Sequence, residues 1–479
     1  MVKDMQNYSE AQKIGVFGYG VEGKSLVKYL RQREMGEIVV FDESEQAVKD
    51  NIEGVKFVLG PFEKNSYEGL EIAYRSPGIK RNRLEKILKN KVKISTLTNL
   101  FFENAKGKIV GVTGTKGKST TVNLVARILK KNGKKVFIGG NLGISPLDFI
   151  NELDDDSYSV IELSSFQLDD CRFSPDVAII LPVLLDHLDY HRDEKEYIQS
   201  KSSIARYMGE EGLLIVADQK NARKIAEMSK GKKIYFSENV VSQPKSLSKN
   251  DTSSRQTFSD VWATADWYTD EKAEGCYLMG DDVFCQWSQK KSEFFNVQKA
   301  SQEYKVPIVN LLAAVTFAFA FDLKFDPMQD LVGFKKPPFR IEEVADKKGI
   351  TFYNDSASTN PISAIAAMKT MSKPYALILG GSSKNLRFDE LAIALKSSPL
   401  LKIVYLTGET ASEIEAAIKS AGGSFEIIKK NNLQEIFIDL KTRSKKIKAV
   451  LFSPACASFD QFKNYFERGE YFNQLVKEF

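Results

Sequence analysis

A glycine-rich turn between an apolar run and a helix-forming run constrains this chain more than any other feature, and it lies in KIVGVTGTKGKSTTVNLVARIL. The residues before the turn are mostly apolar, as in a buried strand. After the turn, apolar residues recur at helical spacing, at Val122, Val125, Ile128 and Leu129. Strands that alternate with helices form parallel sheets covered by helices. The segment therefore predicts an α/β fold.

The same alternation recurs in three blocks of the chain. The first block contains KIGVFGYG, VEGKSLVKYLRQRE and EIVVFDE, which predict a strand, a helix and a strand. The second adds strands at YSVIEL and DVAIIL, and the third adds ITFYND, YALILGG, KIVYLTG and AVLFSPA. With 479 residues there is room for about three domains. We predict a Rossmann-like domain over residues 1–103, a central P-loop parallel-sheet ATPase domain over 104–335 and a Rossmann-like C-terminal domain over 336–479.

Three segments interrupt this alternation. The polar stretch SQPKSLSKNDTSSRQ, residues 242–256, has no apolar period and predicts an exposed loop. The segment CYLMGDDVFCQW predicts a hairpin that turns at residues 280–282. The paired prolines of KKPP, residues 335–338, predict a linker.

The charge balance is mild, with 68 Lys and Arg against 63 Asp and Glu and a net charge of +5. A protein that binds the phosphate backbone needs a basic stripe, so we expect no nucleic-acid partner. The longest apolar stretch, Leu311 to Phe321, is shorter than the roughly 20 residues of a membrane-spanning helix. We therefore expect no membrane span. The polar N-terminus lacks the apolar core of a secretory signal, which predicts a cytoplasmic protein.

The four cysteines are far apart in the sequence and form no CxxC pair, at Cys171, Cys276, Cys285 and Cys456. This spacing favours reduced, buried thiols over a disulfide framework or a zinc site.

The first glycine cluster contains Gly18, Gly20 and Gly23, and Asp42 closes the next strand. The spacing is typical of a dinucleotide-binding turn, in which the backbone approaches a diphosphate and the acid binds a ribose hydroxyl. The pattern alone does not distinguish NAD from a UDP-sugar. Glycines needed only for close helix–strand packing remain an alternative.

The second glycine cluster is more specific, because its three glycines lead directly into a lysine and two hydroxyl residues: Gly111, Gly114, Gly117, Lys118, Ser119 and Thr120. Backbone N–H groups of such a turn bind phosphate at a helix N-terminus, and Lys118 can reach the β and γ phosphates. The Ser119 hydroxyl can bind Mg²⁺. The spacing differs from the common P-loop form, since Val112 occupies the position of its first glycine. The cluster predicts an ATP or GTP site.

The two histidines of the chain, His187 and His191, both lie in LLDHLDYHRDEKEY, just after a predicted strand. Glu162 ends the strand before it, and the carboxyl ends of parallel strands meet at one edge of the sheet. We expect Ser119, Glu162 and one histidine to share a metal–nucleotide site. His187 is nearer the strand end, so we assign it to the site and His191 to the surface.

Several strings of this sequence together resemble the Mur ligases: GVTGTKGKSTT, GGNLG, IELSSFQLD, DHLD, YNDSASTNP, LGGSSK and SPACASFDQFKNYFERG. The similarity extends over nearly the whole chain from about Gly18. It is strongest to the member that joins D-glutamate to UDP-N-acetylmuramoyl-L-alanine, through ELSSFQL and SPACASFDQF. The resemblance implies a cytoplasmic, monomeric ligase of peptidoglycan precursor synthesis. In such a ligase ATP phosphorylates a carboxylate and an amine then attacks the acyl phosphate.

The resemblance also implies where each ligand binds. The catalytic residues would be Lys118, Glu162, His187 and Lys201. Two Mg²⁺ sites would involve Ser119, Glu162, His187 and Lys201, with Lys201 carbamylated. The ATP site would contain Gly114, Thr115, Lys116, Gly117, Lys118, Ser119, Thr120, Asn310, Arg340 and Asp355. The UDP-linked substrate would contact Gly18, Tyr19, Gly20, Asp42, Ser76, Gly78, Asn141, Ser164 and Gln167. The incoming amino acid would contact Thr359, Lys384, Ser458 and Phe459.

The chain departs from the family pattern at three places. Phe339 stands where a histidine is usual, Ala357 where a lysine is usual, and Val306 with Pro307 where a His-Asn pair is usual. These changes bear on which amino acid is the acceptor. Three alternatives stay open: a Mur-type ligase or folylpolyglutamate synthetase with another acceptor, a catalytically silent UDP-sugar-binding paralogue, and a nicotinamide-dependent oxidoreductase.

Overall fold

A computed structural model describes residues 13–43, 52–89, 91–184, 191–238, 275–279, 282–286, 294–334, 338–382, 388–443 and 446–479. The chain divides into two compact units, Met1–Phe334 and Lys335–Phe479. The predicted loop at 242–256 and residues 335–337 of the predicted linker lie outside the described residues. The predicted domain boundaries at 103 and 335 stay predictions.

The first sheet has five parallel strands in the order β3-β2-β1-β4-β5. They are β1 (Lys13–Phe17), β2 (Glu37–Asp42), β3 (Val55–Leu59), β4 (Ile72–Arg75) and β5 (Lys93–Thr96). Its helices are α1 (Val21–Gln32), α2 (Arg81–Ile87) and α3 (Leu97–Asn104). This order is the Rossmann arrangement, which places a ligand crevice where strand order reverses, between β1 and β4. The predicted Rossmann-like domain is confirmed.

The second sheet, also in the first unit, has nine strands in the order β14-β13-β12-β11-β10-β9-β6-β8-β7. They are β6 (Lys108–Thr113), β7 (Lys135–Gly140), β8 (Ser157–Glu162), β9 (Val177–Ile180), β10 (Leu213–Ala217), β11 (Lys232–Ser237), β12 (Gly275–Met279), β13 (Asp282–Gln286) and β14 (Phe294–Phe295). The strands from β12 to β7 in this order are parallel, and β13 and β14 are antiparallel additions at one edge. The predicted parallel-sheet core is therefore present.

Eight described helices accompany this second sheet in the chain. They are α4 (Lys118–Lys131), α5 (Ser165–Leu168), α6 (Glu194–Lys201), α7 (Ser203–Arg206), α8 (Lys220–Ala226), α9 (Val297–Tyr304), α10 (Ile308–Ala320) and α11 (Pro327–Asp330). Most have one apolar face. Helix α10 is apolar on nearly every side, because it is enclosed between α4 and strands β10, β11 and β12.

The predicted hairpin is present as β12 and β13, but the prediction of four reduced cysteines is wrong. Cys276 and Cys285 form a disulfide. They face each other across the antiparallel pair, with Cα atoms 4.1 Å apart. A separation of nine residues carries no disulfide signal by itself, but a hairpin folds these two positions into direct register. Cys171 and Cys456 are buried free thiols, as expected.

The second unit contains a six-stranded sheet in the order β15-β16-β20-β17-β18-β19, in which only the β15–β16 pair is antiparallel. Its strands are β15 (Glu342–Lys347), β16 (Ile350–Asn354), β17 (Tyr375–Gly380), β18 (Leu401–Thr407), β19 (Glu426–Lys429) and β20 (Ala449–Phe452). Its helices are α12 (Pro361–Met368), α13 (Asp389–Lys396), α14 (Ala411–Ala421), α15 (Leu433–Arg443) and α16 (Tyr465–Lys477). Apolar cores fill both faces, which confirms an α/β fold with three mainly parallel sheets. None of the described helices is long and apolar enough to cross a membrane.

Candidate active site

The turn after β6 has the backbone geometry of a phosphate-binding loop. It runs from the strand into the first turn of α4, with Gly117 at the N-cap. Gly117 has φ of 84°, and a Cβ there would lie 2.5 Å from Asn310 Nδ2. Only glycine fits both constraints. The order of strand, turn and helix predicted for the second glycine cluster is therefore present, and the N–H groups that begin α4 are available to an anion.

Lys118 lies over this loop. Its Nζ donates hydrogen bonds to the carbonyl oxygens of Gly114 at 3.0 Å and Thr115 at 3.1 Å. The side chain is only partly buried, so it can exchange these carbonyls for phosphate oxygens. Thr115 is itself held by Leu184, through Oγ1 to the Leu184 carbonyl at 2.8 Å. The following residue of the loop, Lys116, is exposed.

Ser119 and Glu162 meet at the end of the loop, as predicted. Ser119 Oγ donates to Glu162 Oε2 at 2.6 Å, and both side chains are buried. Asn141 Nδ2 donates to Glu162 Oε1 at 3.1 Å, which places Asn141 at the same carboxylate. Thr120, the next residue of α4, is buried beside them. Three oxygen- and amide-bearing side chains thus converge at the carboxyl ends of β6, β7 and β8.

These residues suit a hard divalent cation. Hydroxyl and carboxylate oxygens are the ligands that Mg²⁺ prefers, and the Ser119–Glu162 pair offers one of each. His187, the predicted third ligand, lies outside the described residues. Within the described part of the chain, no group of three or more His, Cys, Asp and Glu side chains is arranged to hold a metal ion by itself. The Ser119–Glu162 pair therefore fits a Mg²⁺ ion in its chemistry.

Lys201 reaches the phosphate loop from the last turn of α6. It is 1 % exposed, and its Nζ donates to Gly114 O at 3.2 Å and Thr113 Oγ1 at 3.4 Å. The ammonium also lies 4.8 Å from the centre of the Tyr197 ring. Lysine is seldom fully buried. The burial of Lys201 at this loop is therefore unusual for its residue type.

The assignment of His191 to the surface is wrong, because the side chain is 1 % exposed. Its ring stacks on Phe166, with centroids 5.9 Å apart, and meets Tyr197 edge to face at 5.4 Å. Tyr197 Oη lies 3.1 Å from Thr115 Oγ1, so the group formed by Phe166, His191 and Tyr197 contacts the phosphate loop. Its greater distance from the strand end predicted exposure, but Phe166, from a distant segment, stacks on the ring.

The first glycine cluster and its acid also come together. Tyr19 N donates to Asp42 Oδ2 at 2.7 Å, and Ser76 Oγ donates to Gly18 O at 3.1 Å. Gly18 has φ of 88°, and a Cβ there would lie 2.6 Å from Ser76 Oγ. Gly20 and Gly78 are exposed at the same edge. The turns after β1 and β4 therefore face each other at the reversal of strand order, where ligands of such sheets bind.

Ser164 and Gln167 form the N-terminal cap of α5. Ser164 Oγ accepts from Gln167 N at 3.3 Å, and Ser164 N donates to Gln167 Oε1 at 3.0 Å. This reciprocal pair is a capping box, and it follows Glu162 by two residues. Gln167 Nε2 then donates to Glu22 Oε1 at 2.7 Å, in the first turn of α1. Burial raises the pKa of Glu22 to about 7, although the Gln167 hydrogen bond and Arg75 act to lower it.

Asn310 connects α10 to the phosphate loop. Its Nδ2 donates to Gly117 O and to Thr121 Oγ1, each at 2.8 Å. Its Oδ1 is buried and has no hydrogen-bond partner among the described residues. A buried acceptor without a partner costs free energy unless a ligand supplies a donor. Asn310 therefore fits the predicted nucleotide site.

In the second unit, Asp355 follows β16 and is buried. Ile341 N donates to its Oδ1 at 3.1 Å and Ser453 Oγ to its Oδ2 at 2.7 Å. Burial raises the pKa of Asp355 to about 6, opposed by hydrogen bonds from Ser358 and Ser453. The side chain of Arg340, two residues before β15, is exposed.

The predicted amino-acid residues lie at the carboxyl edge of the same sheet, except Lys384, which is outside the described residues. Ser458 is buried at 2 % exposure, Thr359 is half-buried and Phe459 is 65 % exposed. Phe459 N donates to Ser382 Oγ at 3.3 Å, which joins the segment after β20 to the one after β17.

Two of the departures from the family pattern are neighbours in space. Ala357 N donates to Phe339 O at 3.0 Å. The Phe339 ring packs edge to face on Phe466 and fits against Gly469, where a Cβ would lie 2.6 Å from it. The phenyl ring thus occupies a buried, apolar position within the second unit.

Sequence reasoning missed four residues that the structure brings to the site: Glu22, Arg75, Thr113 and Tyr197. Tyr197 and Lys201 are four apart on a predicted helix, and that spacing places them on one face. Arg75 ends the apolar run IAYR, where a charge on a buried strand is a signal. For Glu22 and Thr113 the sequence carries no comparable signal.

Two protein-family models match this chain. The Mur ligase middle domain matches residues 112–309, and the Mur ligase glutamate ligase domain matches residues 339–456. Among curated relatives, the UDP-N-acetylmuramoylalanine–D-glutamate ligase of Acetivibrio thermocellus is 31% identical over 99% of this chain and 98% of its own length. The enzyme of the same name from Clostridium tetani is 28% identical over the full length of both.

Solved structures share the fold at lower identity. The UDP-N-acetylmuramate–alanine ligase MurC from Thermotoga maritima is 16% identical, with a TM-score of 0.54 over 97% of this chain and 99% of its own. The MurF ligase from the same organism, solved with ADP, is 18% identical, with a TM-score of 0.53 over 98% and 97%.

Proposed function

The chain belongs to the Mur ligase family, and from that premise we propose that it joins D-glutamate to UDP-N-acetylmuramoyl-L-alanine at the expense of ATP. The reaction belongs to peptidoglycan precursor synthesis. Full-length relatives named for this reaction support the choice of acceptor. We also propose that the enzyme works as a monomer in the cytoplasm.

The observation that carries the proposal is the 2.6 Å contact between Ser119 Oγ and Glu162 Oε2 at the end of the phosphate loop. A carboxylate is a poor electrophile, so the enzyme must first transfer a phosphoryl group to it. That transfer requires positive charge and hydrogen-bond donors around the phosphoryl oxygens. The α4 N–H groups and Lys118 supply both.

Ser119 and Glu162 would hold a Mg²⁺ ion, with His187 and Lys201 at a second site. Mg²⁺ supplies charge neutralisation at the phosphates when it is bound. Asn310 would accept a hydrogen bond from the nucleotide, and its buried Oδ1 without a partner among the described residues supports this. Arg340 and Asp355 are the residues of the second unit that we assign to ATP.

We propose that Lys201 carries a carbamate. The uncharged amine adds to carbon dioxide and releases a proton, which converts a cation into an anionic oxygen donor suited to a metal ion. The burial of Lys201 beside Gly114 supports this, because it holds the side-chain nitrogen at the phosphate loop and out of bulk solvent. Loading with ¹³C-bicarbonate should give a carbamate carbon resonance that is absent in Lys201→Arg.

The UDP-linked substrate would bind along the first unit. Gly18, Tyr19, Gly20, Asp42, Ser76 and Gly78 would hold its UDP end, and Asn141, Ser164 and Gln167 its muramoyl-alanine end. In the second unit, Thr359, Lys384, Ser458 and Phe459 would bind the amino acid, whose carboxylates need cations and hydroxyl donors. The amine of D-glutamate then attacks the acyl phosphate, and the tetrahedral adduct collapses to an amide and phosphate.

Phosphate release from ATP tests the function. The assay contains UDP-N-acetylmuramoyl-L-alanine and a panel of D- and L-amino acids. We expect release only when D-glutamate is present. Release with a different amino acid would keep the ligase chemistry but reject the acceptor, and silence across the panel with intact UDP-substrate binding would indicate a non-catalytic paralogue.

A further inference from the structure

A buried arginine joins two separate segments of the first unit. Arg75 ends β4, and its side chain is fully buried, while that of its partner Asp170 is 5 % exposed. Arg75 Nε donates to Asp170 Oδ2 at 2.9 Å, and Nη2 donates to Oδ1 at 2.6 Å. Two parallel bonds between a guanidinium and a carboxylate fix both their distance and their direction.

The same guanidinium also holds the turn that follows β4. Arg75 Nη1 donates to Ile79 O at 2.9 Å and to Pro77 O at 3.2 Å, with a longer contact of 3.5 Å to Ser76 O. On its other side, Nη2 donates to Phe166 O at 3.4 Å, within α5. One rigid planar group therefore spans the turn after β4 and the segment that begins with α5.

Those two segments hold different ends of the substrate under the proposed function, on which this inference rests. The turn contains Ser76 and Gly78, assigned to the UDP end. Helix α5 contains Gln167 and is capped by Ser164, both assigned to the muramoyl-alanine end. Asn99 Nδ2 adds a further bond to Asp170 O at 3.2 Å.

We propose that Arg75 and Asp170 are a positioning pair that sets the spacing between the UDP-binding turn and the muramoyl-alanine-binding helix. A ligand that engages two sites at once gains affinity only when the distance between the sites matches its own length. Neither residue touches the reacting atoms. Their effect is confined to ligands long enough to reach both segments.

Asp170→Asn is the most informative variant, because it keeps the size of the side chain and leaves Arg75 bonded to the turn. We expect the Kd of UDP alone, measured by titration calorimetry, to stay within about twofold. The Kd and KM of UDP-N-acetylmuramoyl-L-alanine should rise about tenfold, since an ångström-scale misplacement has effects of this order or larger. KM for ATP should not change.

Two further variants control the experiment. Arg75→Lys keeps a buried cation but has no planar fork, so it should lose affinity for the complete substrate in the same selective way. Asp154→Asn breaks an ion pair between two exposed side chains, Asp154 at 55 % and Lys135 at 47 % exposure. It should leave the Kd and KM values unchanged. Circular dichroism checks that each variant is folded.

Three results would overturn the positioning role. One is unchanged affinity for the complete substrate in folded Asp170→Asn, and another is an equal loss for UDP and for the complete substrate. The third is failure of both pair variants to fold, which would assign the pair to stability alone. Wild-type protein that binds neither ligand would instead reject the proposed function, and the positioning role with it.

Discussion

Ser119 and Glu162 come from different strand–helix connections, 43 residues apart, and meet at 2.6 Å beside the phosphate loop. The hydroxyl follows β6 and the carboxylate ends β8, and these strands are neighbours in the sheet. Parallel strands deliver their carboxyl-terminal residues to one edge, so the fold itself brings this pair together. This is the pair to which we assign the metal ion.

Replacing Lys118 with alanine should reduce ATP-dependent phosphate release by about 10²- to 10³-fold, because one positioned donor to the transferring phosphoryl group is lost. Calorimetry should show unchanged affinity for UDP-N-acetylmuramoyl-L-alanine. Lys130→Ala, on the exposed last turn of the same helix, is the matched control and should keep full activity. Full activity in Lys118→Ala would reject the phosphate-loop assignment.

Substrate affinity should depend on Glu22. Its pKa is raised to about 7, so the carboxyl group becomes charged as the pH rises through neutrality. Glu22 lies in the first turn of α1, beside the glycine turn assigned to the diphosphate, and a negative charge there repels the ligand. We expect the affinity for UDP to fall between pH 6 and pH 8, and Glu22→Gln to remove that fall. Parallel curves for the two proteins would contradict the assignment.

The free energy of unfolding should depend on pH through the protonation of Asp355. Its pKa is near 6 when folded and near 3.8 when unfolded, so the folded state binds the proton more tightly. The resulting stabilisation is present in full below the unfolded pKa and is lost as the pH rises through 6. It amounts to at most about 3 kcal/mol.

The comparison with Asp355→Asn isolates this effect, because the amide can keep contacts to Ile341 N and Ser453 Oγ. We measure the free energy of unfolding of both proteins in denaturant. The wild-type value minus the variant value should increase as the pH falls from 7.5 to 5. A difference that is independent of pH would show that Asp355 does not titrate in this range.

Thiol counting tests the Cys276–Cys285 disulfide. Unfolded, unreduced protein should expose two reactive thiols, from Cys171 and Cys456, and prior reduction should raise the number to four. Reduction should also destabilise the folded protein by up to about 3 kcal/mol, the value for a loop this short. Four thiols without reductant would mean that the pair is reduced in the isolated protein.

The sequence predicted the architecture well because the relevant signals are local. The glycine turn, its lysine and its hydroxyl residue are contiguous, and strand order then follows from alternation. The disulfide depends on strand register: Met279 pairs with Asp282, which brings Cys276 opposite Cys285, and a predicted turn at residues 280–282 does not specify that register.

Other parts of the site depend on contacts between distant segments, which spacing cannot reveal. His191 is buried by Phe166, and Arg75 is paired with Asp170, 95 residues away. Lys201 was assigned through the family resemblance, since a lysine on a helix is usually solvated. Its burial depends on how α6 packs beside the phosphate loop, and that packing is a property of the folded unit.

The apolar surface of helix α10 does not determine the angle of the helix about its own axis. A helix that is apolar on nearly every side packs almost equally well at several angles about its own axis, so hydrophobic burial does not select one. Asn310 removes that freedom, because its amide reaches both Gly117 O and Thr121 Oγ1 at only one angle. The polar residue that we assign to the nucleotide site thereby also orients the most apolar of the described helices.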